Sequence, residues 1–280
     1  MKVLPFKIPK SSTDTLIIEE DIGHMFYDKL HQHEEVQLSY IVSGKGTFIV
    51  GDTIKNYETN DILIFGSNVP HVLKSDVESN VSSHMISVFF TLNSFGVEFF
   101  DLPEFQKAKN FISKAELGLK LKDIDLKEKF TAIAKESKLK RFMLFLEILD
   151  KMMQSDLETV ASFSTKKVYT DNEGKRMSAI FDLALNNYHK DISLDEVAEV
   201  ATMTPNAFCR YFKQRTNKTF IQFLTEIRIE KSCKLLSKNN EFSIAEIAYQ
   251  CGFKNISNYN RKFKSTKNST PTDYRKRMSL

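Results

Sequence analysis

Two arginines set in matching surroundings are the residues of this 280-residue chain best suited to chemistry with a polyanion. Arg210 lies in Pro205-Asn-Ala-Phe-Cys-Arg-Tyr-Phe-Lys-Gln, and Arg261 lies in Ser257-Asn-Tyr-Asn-Arg-Lys-Phe-Lys. At helical spacing the first segment puts Asn206, Cys209, Arg210, Lys213 and Gln214 on one side and Phe208, Tyr211 and Phe212 on the other. The second puts Ser257, Asn258, Asn260, Arg261 and Lys264 opposite Tyr259 and Phe263. An arginine fork matches guanine O6 and N7, and an asparagine amide matches adenine N6 and N7. One such face alone reads equally well as a solvated helix surface. Two at a fixed spacing favour base reading. The sequence has no glycine-rich phosphate loop, no serine-nucleophile motif and no Cys-x-x-Cys. Cys233 and Cys251 read as small core residues.

The elements that must position these faces are written as a repeat. Ser193-Leu-Asp-Glu-Val-Ala recurs 50 residues later as Ser243-Ile-Ala-Glu-Ile-Ala. Both are Ser-x-x-Glu capping boxes and start a helix. Arg210-Tyr-Phe-Lys recurs 51 residues later as Arg261-Lys-Phe-Lys, so one residue is inserted in the turn between two helices. Thr204 before Pro205 is an N-cap with proline at the first helical position, and Asn255 is its counterpart. Small Ala198 and Ala248 let the paired helices approach. Helix, tight turn, helix is the plan that lays a second helix in a DNA major groove. A long helix from Phe220 to Ser237 would join the copies and set them for successive groove segments about 34 Å apart.

Charge agrees with this placement. Residues 1–170 carry 21 Lys/Arg against 24 Asp/Glu, whereas residues 171–280 carry 19 against 12, a net −3 beside a net +7. The basic third is the part expected to meet a polyanion. Before it, short β-rich runs at Leu38–Val42, Thr47–Val50, Ile62–Phe65 and His84–Phe90 alternate with turn residues and predict a sandwich or barrel. From Leu102 to Gln154 the period turns helical, with a bulky stripe at Phe142, Phe145, Leu146, Leu149 and Met153 that reads as core or dimer seam. The expected organisation is a sensor barrel over 1–100, a helical dimerisation region over 101–155, a polar linker over 156–175 and an all-α domain over 176–280. Three cysteines make no disulfide framework, and no run reaches the roughly 18 apolar residues of a membrane span. A cytoplasmic, membrane-free protein is expected.

Residues 176–280 resemble the DNA-binding domain of the AraC/XylS family of bacterial transcription regulators. Leu194-Asp-Glu-Val-Ala, Met203-Thr-Pro-Asn-Ala-Phe-Cys-Arg-Tyr-Phe-Lys, Ile244-Ala-Glu-Ile-Ala-Tyr-Gln-Cys-Gly-Phe, Asn258-Tyr-Asn-Arg-Lys-Phe-Lys and the closing Thr270-Pro-Thr-Asp-Tyr-Arg carry the likeness. The resemblance implies two helix-turn-helix units. It places base contacts on Asn206, Cys209 and Arg210 in the first and on Ser257, Asn258, Asn260 and Arg261 in the second. Lys213 joins that DNA-binding set, and the helix starts at Thr204 and Asn255 are expected to give backbone amides to phosphates. Thr202 stands where the second copy has Gly252, which implies a differently shaped first turn.

The N-terminal part resembles the cupin pattern of this family's sensor domains in His31-x-His33, Gly44-x-Gly46, Asp61 and Pro70-His71. Cupin enzymes bind one metal with two His and a Glu from the first motif and a His from the second. His31, His33 and His71 hold three of those places, and Gln37 stands where the Glu would be. The resemblance implies, first, a pocket in which His31, His33, Gln37, Tyr40 and His71 meet a small polar effector such as a sugar. Structurally bonded histidines and a metal centre are the other readings, and no cofactor or resident metal is expected. The chain is thus expected to be a non-enzymatic, ligand-responsive, homodimeric activator that binds double-stranded promoter DNA and works with RNA polymerase. The alternative is a cupin metalloenzyme fused to a DNA-binding module.

Overall fold

A computed structural model describes residues 14–76, 82–122, 124–162, 169–238 and 241–278. The chain divides into two compact units, Met1–Gly174 and Lys175–Leu280.

In the first unit the described strands are β1 (Ile17–Gly23), β2 (Val36–Ser43), β3 (Gly46–Val50), β4 (Thr53–Tyr57), β5 (Ile62–Phe65), β6 (His71–Ser75), β7 (Ser83–Phe90), β8 (Leu119–Leu121) and β9 (Leu157–Thr159). They form a six-stranded sheet ordered β1-β7-β2-β5-β8-β9 and a three-stranded sheet ordered β4-β3-β6. The expected barrel thus takes the form of two antiparallel sheets packed face to face. Ile41, Leu63, Phe65 and Met85 of the larger sheet meet Phe48, Val50 and Leu73 of the smaller one in a buried cluster. The period of two along β2 turns Val36, Leu38 and Tyr40 to the opposite face. There they pack under α1 (Gln106–Lys114), α2 (Lys127–Ile133) and α3 (Lys138–Met153).

The bulky α3 stripe belongs to that packing. Phe145 and Leu149 are buried in the cluster, and Phe142, Leu146 and Met153 lie against it. What α3 turns outward is Leu139 and Met143, 71% and 54% exposed. The stripe read as a possible dimer seam is therefore mainly intrachain core.

The linker expected over 156–175 is a second point of difference. Leu157–Thr159 pairs with β8 as an edge strand. Val160 and Ala161 are buried in the inter-sheet cluster, and their N–H groups donate to the carbonyls of Gly118 (2.9 Å) and Leu117 (2.7 Å). The Ser162 N–H donates to the carboxylate of buried Asp52 at 3.0 Å. Within 156–162, the polar residues that suggested a linker are the solvent side of an edge strand and its anchor. Residues 163–168 of that stretch lie outside the described residues.

The second unit consists of helices. They are α4 (Asp171–Asn187, which spans the division between the units), α5 (Leu194–Val200), α6 (Pro205–Thr216), α7 (Phe220–Lys238), α8 (Ile244–Gln250), α9 (Ile256–Lys267) and α10 (Pro271–Met278). The two halves of α7 belong to different cores. Its start, at Phe220 and Phe223, meets Phe208 and Phe212 of α6, while Phe223 also stacks on Phe181 of α4 at 5.0 Å. Its end, at Ile229, Cys233 and Leu236, packs with Ile247, Ala248, Cys251, Phe253, Tyr259 and Phe263. One continuous helix thus ties both helix pairs into a single body, as the sequence predicts.

Candidate functional site

The helix pairs α5–α6 and α8–α9 are built by the same local chemistry. Ser193 and Ser243 accept from the N–H groups of Glu196 and Glu246, whose carboxylates accept from the serine N–H in return. Those hydrogen bonds hold both glutamate carboxyls below their usual range. Each first helix ends in a Schellman motif. Met203 N–H donates to Ala198 O at 2.9 Å and Phe253 N–H to Ala248 O at 3.0 Å, with Thr202 and Gly252 bonding back to Glu199 and Tyr249.

The two turns have the same shape, which corrects the expectation of a different first turn. Thr202 has φ 55° and Gly252 φ 82°, both left-handed. Their surroundings differ. A Cβ on Gly252 would lie 2.6 Å from Tyr188 O and 3.0 Å from Arg228 Nε, whereas the Thr202 side chain is exposed. A side chain thus fits in one copy and clashes in the other.

The correspondence continues past the recognition helices. Asn217 and Asn268, 51 residues apart, end α6 and α9 at φ 54° and 52°. Thr219 and Thr270, at the same offset, cap α7 and α10 by accepting from the Gln222 and Asp273 N–H groups.

On α6, Asn206, Cys209, Arg210 and Lys213 are exposed while Phe208 and Phe212 are fully buried. On α9, Ser257, Asn258, Asn260 and Arg261 are exposed while Tyr259 and Phe263 are fully buried. Arg261 Nη2 donates to Asn258 Oδ1 at 2.9 Å, which presets part of that face. The structure therefore brings each set onto one outward helix surface. Thr204 and Asn255 are the N-caps of these two helices. Thr204 accepts from Ala207 N–H (3.4 Å), and Asn255 Oδ1 accepts from the Ser257 (2.8 Å) and Asn258 (3.1 Å) N–H groups. These first-turn amides are committed to the caps.

In the first unit, His31, His33 and His71 converge, with ring nitrogens within 4.8 Å of one another. His31 and His33 lie on an extended segment, and His31 exchanges backbone hydrogen bonds with His71 at the start of β6 (3.0 and 2.9 Å). All three are buried, and His71 stacks on Phe65 at 4.1 Å. Each Nδ1 lies 2.8 Å from a backbone carbonyl: His31 on Lys29, His33 on Glu35, His71 on Val69. A carbonyl only accepts, so each Nδ1 carries the proton and each Nε2 presents a lone pair. Burial lowers all three imidazoles, His31 to about 4 and His71 well below the ordinary value. They are neutral at pH 7.

Gln37 belongs to this group and Tyr40 does not. Gln37 Oε1 lies 3.0 Å from His33 Nε2 and 3.2 Å from His71 Nε2. Tyr40, three residues along β2, is on the other face. It stacks on Phe130 of α2 at 5.4 Å and donates to Asn60 Oδ1 at 2.7 Å. The strand period that aims Gln37 inward aims Tyr40 outward, which removes Tyr40 from the candidate pocket. Asp61 is also outside it, in a buried 2.5 Å ion pair with Lys120. Ser39, Ser87 and Gln32 are the neighbours sequence reasoning passed over. Ser39 was within reach of the strand period, two residues after Gln37.

Neutral imidazoles with Nδ1 fixed by carbonyls are the usual form of metal-bound histidine, the carbonyl setting tautomer and ring orientation. The three-histidine donor set therefore fits a divalent cation. Nitrogens this close leave room between them for an atom-sized guest, not for a sugar ring.

Comparison with known proteins agrees with both halves. A helix-turn-helix domain family matches residues 197–277 and a cupin domain family matches residues 21–89. The HTH-type transcriptional regulator YdeC of Bacillus subtilis is 25% identical over 273 residues, covering 89% of this chain and 87% of its own. The HTH-type transcriptional activator RhaR of Mannheimia succiniciproducens is 23% identical over 250 residues, with the same coverages of 89% and 87%. Among solved structures, ToxT of Vibrio cholerae O395 is 18% identical, covers 93% of this chain and 97% of its own, and gives a TM-score of 0.38. The chain thus carries an AraC-type helix-turn-helix domain following a cupin domain, the domain pair of AraC/XylS-family transcriptional regulators.

Proposed function

We propose that this regulator is a ligand-responsive transcriptional activator that reads double-stranded promoter DNA with α6 and α9. The observation that carries this is the doubled helix pair, its first helices started by the same Ser-x-x-Glu capping box and each copy exposing Asn and Arg over a buried aromatic face. Arg210 and Arg261 are the base-reading arginines, with Asn206, Asn258, Asn260 and Ser257 beside them, and Lys213 serves the phosphate backbone. Cys209 packs on a thymine methyl rather than specifying a base by hydrogen bonds. Thr204 and Asn255 act by holding the helix starts. Activation is supported by the likeness to the activator RhaR, and it requires contact with RNA polymerase. The protein acts in the cytoplasm as a homodimer. Among the described residues no helix is long and apolar enough to cross a membrane.

The cupin domain senses rather than catalyses. His31, His33 and His71 are the residues that would hold a cupin metal, and such an ion would offer a Lewis-acidic anchor for an oxygen of a small polar effector. The cluster is closed, with exposures of 7%, 1% and 0%, which suits a held ion more than substrate turnover. Gln32 stands between His31 and His33, and its Oε1 accepts the Tyr169 N–H at 3.3 Å, two residues before α4 begins. That bond is a direct route from the histidine segment to the first residues of α4.

Selection of binding sites from a random duplex pool tests the DNA reading. The expected result is a defined sequence bound with an affinity that falls steeply with salt. Failure to retain any duplex at low salt overturns it.

A further inference from the structure

The turn of the second helix pair is covered by a neighbouring segment, whereas Thr202 in the first turn is exposed. Tyr188 to Asp191 connect α4 to the Ser193 cap of α5, and this connector lies against the α8–α9 turn. A Cβ on Gly252 would meet Tyr188 O at 2.6 Å and His189 O at 3.0 Å, so the glycine is what leaves room for the connector's carbonyls. Arg228 of α7 fastens the two segments together. Its Nε donates to Tyr188 O at 2.7 Å and its Nη2 to Lys190 O at 2.8 Å. Its guanidinium carbon stands 5.9 Å from the ring centroid of Phe253, and that ring meets the ring of Tyr259 on α9 at 5.1 Å. The carbonyls that Arg228 takes lie just past the end of α4, where helix carbonyls lack partners and a cation is favoured. Lys254 adds an ion pair with Asp191 at the surface, where such a pair contributes little.

We infer that Arg228 is the positioning residue that sets the separation of the two recognition helices, and with it the one half-site spacing that the protein accepts. The inference rests on the DNA reading proposed above. Through α7 alone, each pair is held only at its own half of one helix: Phe223 packs on Phe212 of the first pair, and Ile229, Cys233 and Leu236 pack in the second. One such tie leaves a pair free to tilt about its contact. The Arg228 fork closes a second path. On one side the connector runs from Lys190 to the Ser193 cap and so into α5 and α6; on the other, Phe253 and Tyr259 lead to α9. Two ties at different points resist the rotation that one permits. Successive base pairs of a duplex are about 3.4 Å apart and turned by about 35°, so a doubly tied protein loses contacts when the half-sites shift by a single pair. The tie needs a planar fork, because two carbonyls are taken by two N–H groups of one rigid group, which the point charge of lysine does not reproduce.

The full-length chain is titrated with the selected duplex and with two versions that have one base pair inserted or removed between the half-sites. The parent should lose about 10- to 100-fold on either altered duplex, as for a misplaced base contact. Arg228→Lys and Arg228→Met keep an apolar stem beside Phe253 and remove the fork, and each should bind the three duplexes with nearly equal affinity. An arginine with a merely structural role would lower all three affinities in parallel and leave their ratios as in the parent. That result, or a parent indifferent to spacing, overturns the inference. A second measurement needs no DNA. Asn260→Cys places a thiol 51 residues after the exposed Cys209, at the matching position of α9, and spin labels on this pair report the separation of α6 and α9. The distance distribution should be narrow with Arg228 in place and broaden with Arg228→Lys; equal widths overturn the inference. Circular dichroism reports the fold of each variant, and the conservative Arg228→Lys carries the test if Arg228→Met does not fold. A parent that holds no duplex at low salt, with label distances that broaden as expected, sinks the DNA reading and leaves Arg228 as the residue that places the helices.

Discussion

At residue scale, the two copies of the helix pair show one backbone demand met in two ways. Thr202 sits at φ 55°, a region that costs a β-branched residue about 1–3 kcal/mol. Thr202→Gly should therefore raise stability by about 1 kcal/mol in urea unfolding, less the entropy glycine adds to the unfolded chain. Gly252→Ala should lower it by more than that, because the new Cβ would meet Tyr188 O at 2.6 Å. The cysteines separate on burial. Cys209 is exposed, Cys233 and Cys251 are buried, and burial pushes the Cys251 thiol up to about 12. An aromatic disulfide reagent should titrate one thiol per native chain at pH 8 and three after denaturation. Arg210→Ala and Arg261→Ala should each cost about 1–3 kcal/mol on the selected site and relax base choice at one position. A uniform loss over all sequences would mark a phosphate contact instead.

At the scale of elements, capping chemistry was the most legible feature and strand pairing the least. Ser193, Ser243, Thr204 and Asn255 announce helix starts because a cap is a contact among neighbours in sequence. Ser243→Ala should cost about 1 kcal/mol, read as a lower denaturation midpoint. By contrast β8 is three residues inside a stretch of helical period, and its existence depends on pairing with β5 and β9, 57 and 38 residues from its first residue in the registers of Ile62–Leu121 and Leu119–Thr159 taken at Ile62 and Leu157. Its central residue, Lys120, forms the buried ion pair with Asp61 and donates to Asn56 O at 2.6 Å. Burial raises the Asp61 pKa and lowers that of Lys120, each opposed by the partner's charge. Removing one member strands the other. Lys120→Ala should cost about 3–5 kcal/mol, whereas replacing both by apolar residues of similar volume should cost far less.

At the scale of the molecule, the chain is two compact units, each with its own core. Calorimetry should resolve two transitions, and Zn²⁺ should raise only the one belonging to the cupin unit. Gln32→Ala removes the acceptor for Tyr169 N–H and should leave metal content unchanged while abolishing the effect of metal on DNA affinity. An unchanged metal effect would show that the signal takes another route. The sequence by itself determined the helix-turn-helix repeat, its caps and the two polar faces, because periodicity and capping are local properties of neighbouring residues. It also supplied the histidines and the glutamine. Only the tertiary structure decided which of them meet. A one-residue change of parity on β2 separates Gln37 from Tyr40, and the pairing of distant strands brings His71 to His31. Each tautomer is fixed locally, by a carbonyl two residues away along the chain, whereas the convergence of the three rings requires segments far apart in sequence to pair.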